Sequence, residues 1–161
     1  MKVVFHEDFR MPYTSDPAAE GGRMEAVEWA IRDRVTWVKA VPAPEEAIAA
    51  VHTREHIARV RRDGLYDIAA LAAGGAIQAA GIGLVEPCFG LIRPPGHHAS
   101  AGSAWGFCFF NNMAVALEKL HREKKIQTAL ILDFDLHFGD GTVNILGGKG
   151  YVKILNPSSS D

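Results

Sequence analysis

The sequence predicts an α/β fold, a mainly parallel sheet flanked by helices. Three observations carry that expectation. Short β-type runs alternate with stretches of helical periodicity. Two apolar runs, Cys88-Phe89-Gly90-Leu91-Ile92 and Ala129-Leu130-Ile131-Leu132, stop abruptly in polar, glycine-bearing loops. And ILDFDLHFGDGT, from Ile131 to Thr142, sets Asp133, Asp135, His137 and Asp140 at the end of such a run, where open α/β sheets carry their sites.

In chain order, Lys2-Val3-Val4-Phe5 reads as the first strand and His6-Glu7-Asp8 as either a functional loop or a solvated turn. Met11 to Gly22, with two prolines and a glycine pair, is a loop. A helix is expected near Arg23 to Arg34, with Met24, Val27 and Ile31 at helical spacing. Thr36 to Val41 is a second strand. Pro44 suits the first turn of a helix, with Glu45 and Glu46 favouring its dipole, and that helix offers Ala47, Ile48 and Val51 to the core. Thr53 caps a helix from Arg54 to Arg62 that Gly64 closes. His52 and His56 stand one helical turn apart, and a surface or packing role is favoured over metal binding because no acid accompanies them at metal spacing. Ile68 to Val85, interrupted by Gln78 and glycines, is a buried helix rather than a membrane span. Cys88 to Ile92 is a strand, Asn112 to Arg122 a helix, and Ala129 to Leu132 a buried strand. Thr142 to Leu146 reads as a short helix, and Tyr151 to Leu155 as a last strand before the loop from Asn156 to Asp161. One domain, 1–161, is expected, with no repeat and no linker.

Composition narrows the function. Net charge is -2, so no nucleic-acid or acidic-membrane partner is expected. No basic-then-apolar signal opens the chain. Cys88 and Cys108 form no CxxC, which points to a reducing, cytoplasmic setting. Self-association into a homo-oligomer is left open. No Gly-rich phosphate loop precedes a helix, which disfavours phosphoester chemistry.

The site signals lie in two loops. Asp133, Asp135, His137 and Asp140 are costly to bury unless paired or metal-bound. If the strand runs on through them, Asp133, Asp135 and His137 share one side, successive members roughly 6–7 Å apart. Acids and an imidazole at the carboxyl end of a strand suit a metal; a polar, solvated loop is the alternative. Arg93-Pro94-Pro95-Gly96-His97-His98 is stiffened by its prolines, so each histidine can face a different partner. A neutral imidazole needs a carboxylate or carbonyl to fix its tautomer, and Asp133 and Asp140 are candidates. Trp105, Gly106 and Phe107, in the stretch AWGFCFFNN, offer an apolar slot.

RPPGHH, GFCFFNN and DFDLHFGDGT, in that order, resemble the histone deacetylase and acetylpolyamine amidohydrolase family of the arginase–deacetylase fold. The opening KVVFHEDF, GGRMEAVEWAI and VHTREHI are also similar, closest to the acetylpolyamine branch. The resemblance implies a metal-dependent amidohydrolase that removes acetyl groups from acetylpolyamines or acetyl-lysine. It implies Asp135 and His137 as metal ligands, with zinc, or else ferrous iron or cobalt, as the metal. It pairs His97 with Asp133 and His98 with Asp140, one histidine serving as base and acid and the other electrostatically, with the assignment open. Gly106 and Phe107 would wall the substrate tunnel. The surroundings of Asp133, with the carbonyls of Asp135 and His137, would hold a structural monovalent cation, potassium. A further carboxylate two residues after His137, which a second metal would need, is replaced by Gly139, so one metal is expected. The family's third ligand, an aspartate, and its carbonyl-polarising tyrosine match nothing here, and Asp161 is not assigned to either. The chain is therefore expected to be the N-terminal half of a deacetylase-type catalytic domain, incomplete at its C-terminal side, binding metal weakly by itself. A catalytically incomplete binding module is the alternative. For a cationic substrate, Glu7, Asp8, Asp16 and Glu20 could form an acidic mouth.

Overall fold

The computed structural model describes residues 1–157; Asp161 and most of the expected terminal loop lie outside them. In order, the elements are β1 (Lys2–Phe5), α1 (Arg23–Ile31), β2 (Thr36–Lys39), α2 (Glu45–Ile48), α3 (Arg54–Arg62), α4 (Tyr66–Gly83), β3 (Cys88–Gly90), α5 (Asn112–Arg122), β4 (Ala129–Leu132), α6 (Asp140–Leu146) and β5 (Val152–Leu155). Short 3-10 turns cover Glu7–Arg10 and Pro17–Ala19.

All strand pairs are parallel, but they form two sheets rather than one. β1 lies between β2 and β3, with Val3 opposite both Trp37 and Phe89. Among the described residues β4 pairs only with β5, Ile131 opposite Ile154. Parallel strands need crossovers, and the helices between successive strands supply them.

The core has two parts. Val3, Val4, Phe5 and Phe9 pack with Met24, Leu71 and Leu91 beneath the first sheet. Ile48, Ile57, Val60, Ala73, Phe110, Val115 and Leu146 join α2, α3, α4 and α5 to α6. Helix ends follow the expected chemistry. Thr53 accepts a bond from the His56 amide, and Asn111 accepts one from the Ala114 amide, each satisfying an otherwise orphaned donor. Glu118 on α5 is buried and accepts from Arg122, Lys149 and Tyr151, tying α5 to the turn before β5.

Three expectations change. α1 ends at Ile31 and buries only Met24, while Val27 is 42% exposed. α6 begins at Asp140, two residues early. And β4 stops at Leu132 with only Ile131 buried; Leu130 and Leu132 are exposed. Asp133 to Gly139 is loop, not strand, because carboxylates capture the chain. Asp133 Oδ1 accepts from the Asp135 amide at 3.2 Å, and Asp135 Oδ1 from the His137 amide at 2.8 Å. Such turns divert the backbone from a ladder.

Candidate functional site

Two loops at the carboxyl ends of β3 and β4 meet and form the site. The first, Arg93 to Ser100, is anchored at both ends. Arg93 is buried, and its guanidinium donates to the carbonyls of Phe9, Arg10 and Glu20. Asn112 Nδ2 donates to Pro94 O and the Thr142 amide to His97 O. The second loop carries Asp133 to Asp140.

Their polar groups pair across the gap. His97 Nδ1 lies 3.0 Å from Asp133 Oδ2, and His98 Nδ1 lies 2.7 Å from Asp140 Oδ1. A carboxylate at Nδ1 holds the proton there and leaves each Nε2 as an acceptor. The imidazoles tilt over one another, centroids 3.9 Å apart. His97 Nε2 is 4.0 Å from Asp135 Oδ1. His137 Nδ1 approaches the same oxygen at 3.3 Å, and the rings of His98 and His137 are 6.0 Å apart. His97, His98, Asp133, Asp135, His137 and Asp140 are therefore gathered in one place.

Burial grades across this cluster. His98 and Asp133 are buried, whereas Asp135 and His137 keep 51% and 66% of their side chains exposed. The His137 amide bond holds the Asp135 carboxyl below its ordinary range, with the nearby imidazoles adding to the effect. At Asp140 burial works upward, but bonds from Trp105 and His98 prevail and the pKa is lowered. Cys108, close by, is pushed up to about 12 by burial, which removes it as a thiolate nucleophile at neutral pH.

Close packing explains two glycines. A Cβ on Gly139 would stand 2.4 Å from Asp133 Oδ2, so no side chain, and no second-metal carboxylate, fits there. Gly106 has φ +55, and a Cβ would meet His98 Cδ2 at 2.7 Å. Phe107 follows at φ 51, a region few non-glycine residues adopt. Gly106 and Phe107 line a cleft of ≈ 660 Å³ with Asp16, His56, Arg59 and Trp105. That volume suits a small ligand, but His97 and Asp135 border a separate hollow with Asp133, Pro95 and Asn112. Of the four acids expected at a mouth, Asp16 alone borders the larger cleft; Asp8 lines a different one.

Several supporting contacts were not foreseen from sequence. Trp105 Nε1 donates to Asp140 Oδ2 at 3.0 Å and stacks on His98. Asn111 Nδ2 donates to Ala99 O and Thr142 Oγ1, joining the histidine loop to α6. His52 and His56, expected either at the surface or in packing, are buried and also bridge loops. His52 accepts from the Asn111 amide and bonds Ser100 O, while His56 Nε2 bonds Phe109 O. The VHTREHI segment was the available signal, since buried imidazoles need polar partners.

Comparison with known proteins follows the same lines. Residues 62–156 match the histone deacetylase domain. A "Probable deacetylase" of Archaeoglobus fulgidus is 34% identical, covering 96% of this chain and 50% of its own length. The "Polyamine deacetylase HDAC10" of Mus musculus is 31% identical over 86% of this chain and 26% of its own. The crystal structure of the HDA15 HD domain superposes with a TM-score of 0.82 at 28% identity, covering 95% of this chain and 52% of that one. The chain thus spans about half or less of these relatives.

Proposed function

The chain belongs to the histone deacetylase family, and from that premise we propose that it forms the N-terminal half of a metal-dependent amidohydrolase domain acting on acetylated amines. The observation that carries this reading is the double pairing His97–Asp133 and His98–Asp140 beside Asp135 and His137. Such imidazoles, held by carboxylates at Nδ1, present Nε2 for proton transfer.

The donor chemistry fits a zinc ion in part. Asp135 Oδ1 and His137 Nδ1 are adjacent oxygen and nitrogen donors, a set that zinc accepts, as do ferrous iron and cobalt. Among the described residues no group of three His, Cys, Asp or Glu could hold a metal, whereas a catalytic zinc usually has three protein ligands. When bound, zinc supplies Lewis acidity to a carbonyl and lowers the pKa of water to about 7. The protein groups do the rest. His98, the more buried imidazole, takes a proton from water at Nε2 and returns it to the leaving amine, while Asp140 stabilises its charged form. His97, backed by Asp133, contributes electrostatically. Gly106 and Phe107 wall one side of the approach. Both cysteines are free, in keeping with a cytoplasmic setting, and no described helix is long and apolar enough to cross a membrane. Acetylpolyamine and acetyl-lysine substrates both suit an apolar wall beside a proton-transfer pair.

The second reading is a binding module without catalysis, favoured by the exposure of Asp135 and His137. A chimera separates the two. This chain replaces the matching half of the Archaeoglobus fulgidus relative, and release of acetate from N-acetylputrescine and from an acetyl-lysine peptide is measured. Turnover that is lost on chelation and in His98→Ala supports the hydrolase. Activity equal in His98→Ala, or none in a folded chimera that binds zinc, contradicts it.

A further inference from the structure

The two histidine–carboxylate pairs share one plan but are fastened differently. Each carboxylate gives one oxygen to an imidazole Nδ1 and the other to an N–H donor. Asp133 Oδ2 meets His97 at 3.0 Å, and its Oδ1 accepts from the Asp135 amide at 3.2 Å. Asp140 Oδ1 meets His98 at 2.7 Å, and its Oδ2 accepts from Trp105 Nε1 at 3.0 Å. The first donor is main chain, two residues on in the same loop. The second is a side chain 35 positions away.

Exposure makes that difference matter. The Asp133 side chain is 8% exposed and its surroundings confine it, whereas that of Asp140 is 40% exposed. The terminal torsion of an aspartate is soft, so a half-exposed carboxylate can swing and exchange an imidazole for water. A donor on each oxygen opposes the swing. The Gly141 amide also draws on this carboxyl, but the indole is the side-chain donor on its second oxygen.

The segment that presents the indole is shaped around His98. The Cys108 amide closes a turn on Trp105 O at 3.0 Å. Both central residues, Gly106 and Phe107, have positive φ, 55 and 51. Phenylalanine rarely adopts that region, so its surroundings hold it there. A Cβ on Gly106 would stand 2.7 Å from His98 Cδ2, and the indole lies against the His98 ring. Packing alone does not account for Trp105, since it remains 55% exposed.

We propose that Trp105 is a positioning residue for proton transfer. It fixes Asp140, so that His98 keeps its Nδ1 proton on that carboxylate and its Nε2 in one direction. The inference rests on the hydrolase reading of the histidine pair.

Trp105→Phe tests it, keeping a ring on His98 and removing the donor. In proton NMR of the 161-residue chain, the His98 Nδ1 proton should shift and exchange faster with water in this variant, while that of His97 stays as in the parent. In the Archaeoglobus fulgidus chimera, Trp105→Phe should lower kcat about tenfold, the usual worth of one hydrogen bond. KM should stay unchanged, because the indole bonds Asp140 and not substrate. Circular dichroism checks the fold. Benzothienylalanine at position 105, the same shape without the N–H, gives the same readings should phenylalanine disturb it. Equal kcat in parent and variant overturns the proposal, as does a His98 ring proton that does not respond. A rise in KM alone also overturns it, since Trp105 would then contact substrate. A folded, zinc-binding chimera without turnover even with Trp105 in place counts against the hydrolase reading, and the ring protons then decide whether Trp105 orders the pair.

Discussion

The rings of His98 and Trp105 stack with centroids 3.7 Å apart at 27°, and both donate to Asp140, His98 at 2.7 Å and Trp105 at 3.0 Å. The carboxylate behind the more buried imidazole is thus itself held through its other oxygen. Trp105→Phe keeps a ring on His98 and removes the indole donor. It should lower stability to denaturant by about 1 kcal/mol, the usual worth of one hydrogen bond. Trp105→Ala should cost more, and no change in either would mean that the bond is not made in solution.

Gly139 is expected to tolerate no side chain. Gly139→Ala places a Cβ 2.4 Å from Asp133 Oδ2 and 3.4 Å from His97 Nδ1, so the His97–Asp133 pair must shift. A loss of roughly 1–3 kcal/mol is expected for such overpacking, with the His97 ring resonances displaced in NMR spectra. Gly139→Asp should gain no second equivalent of metal.

His52 gives the chain a weakness in mild acid. Burial, aided by His56, lowers its pKa from 6.5 to about 4, and His56 is lowered in the same direction by burial. The unfolded chain therefore binds protons that the folded chain refuses, and stability must fall as pH drops from about 6.5 toward 4. The loss from His52 alone is on the order of 3 kcal/mol. Denaturation midpoints across this range check it, and His52→Gln with His56→Gln should flatten the slope while lowering stability at neutral pH.

Glu118 acts in a lower window. Burial opposes its charge, yet bonds from Lys149, Arg122 and Tyr151 bring its pKa to about 2. Its folded value lies below its unfolded one, so its stabilisation is present above about pH 4.5 and disappears as pH falls toward 2. Glu118→Gln should cost on the order of 2 kcal/mol at pH 7, with parent and variant converging near pH 2. A constant difference across that range would refute the assignment.

Local signals were read well from sequence. Asn112–Arg122 and Ala129–Leu132 fall where the periodicity and the apolar run put them, because caps and side-chain spacing act within a few residues. What escaped is set by distant partners or by competition. β4 does not continue through Asp133 because the carboxylates of Asp133 and Asp135 take amides two residues on. Val27 faces water since α1 has no layer above that face. The Trp105 bond to Asp140 spans 35 positions, and nothing in the spacing of either residue announces it. The division into two sheets was likewise invisible, as strand pairing is non-local.

Zinc binding reaches the question at the heart of the site. Titrating the 161-residue chain with zinc against a chromophoric chelator should give one weakly held ion per chain, lost in Asp135→Ala and in His137→Ala and retained in Glu118→Gln. Equal stoichiometry and affinity in an Asp135→Ala, His137→Ala double variant would contradict the assignment of these two residues as the metal's ligands.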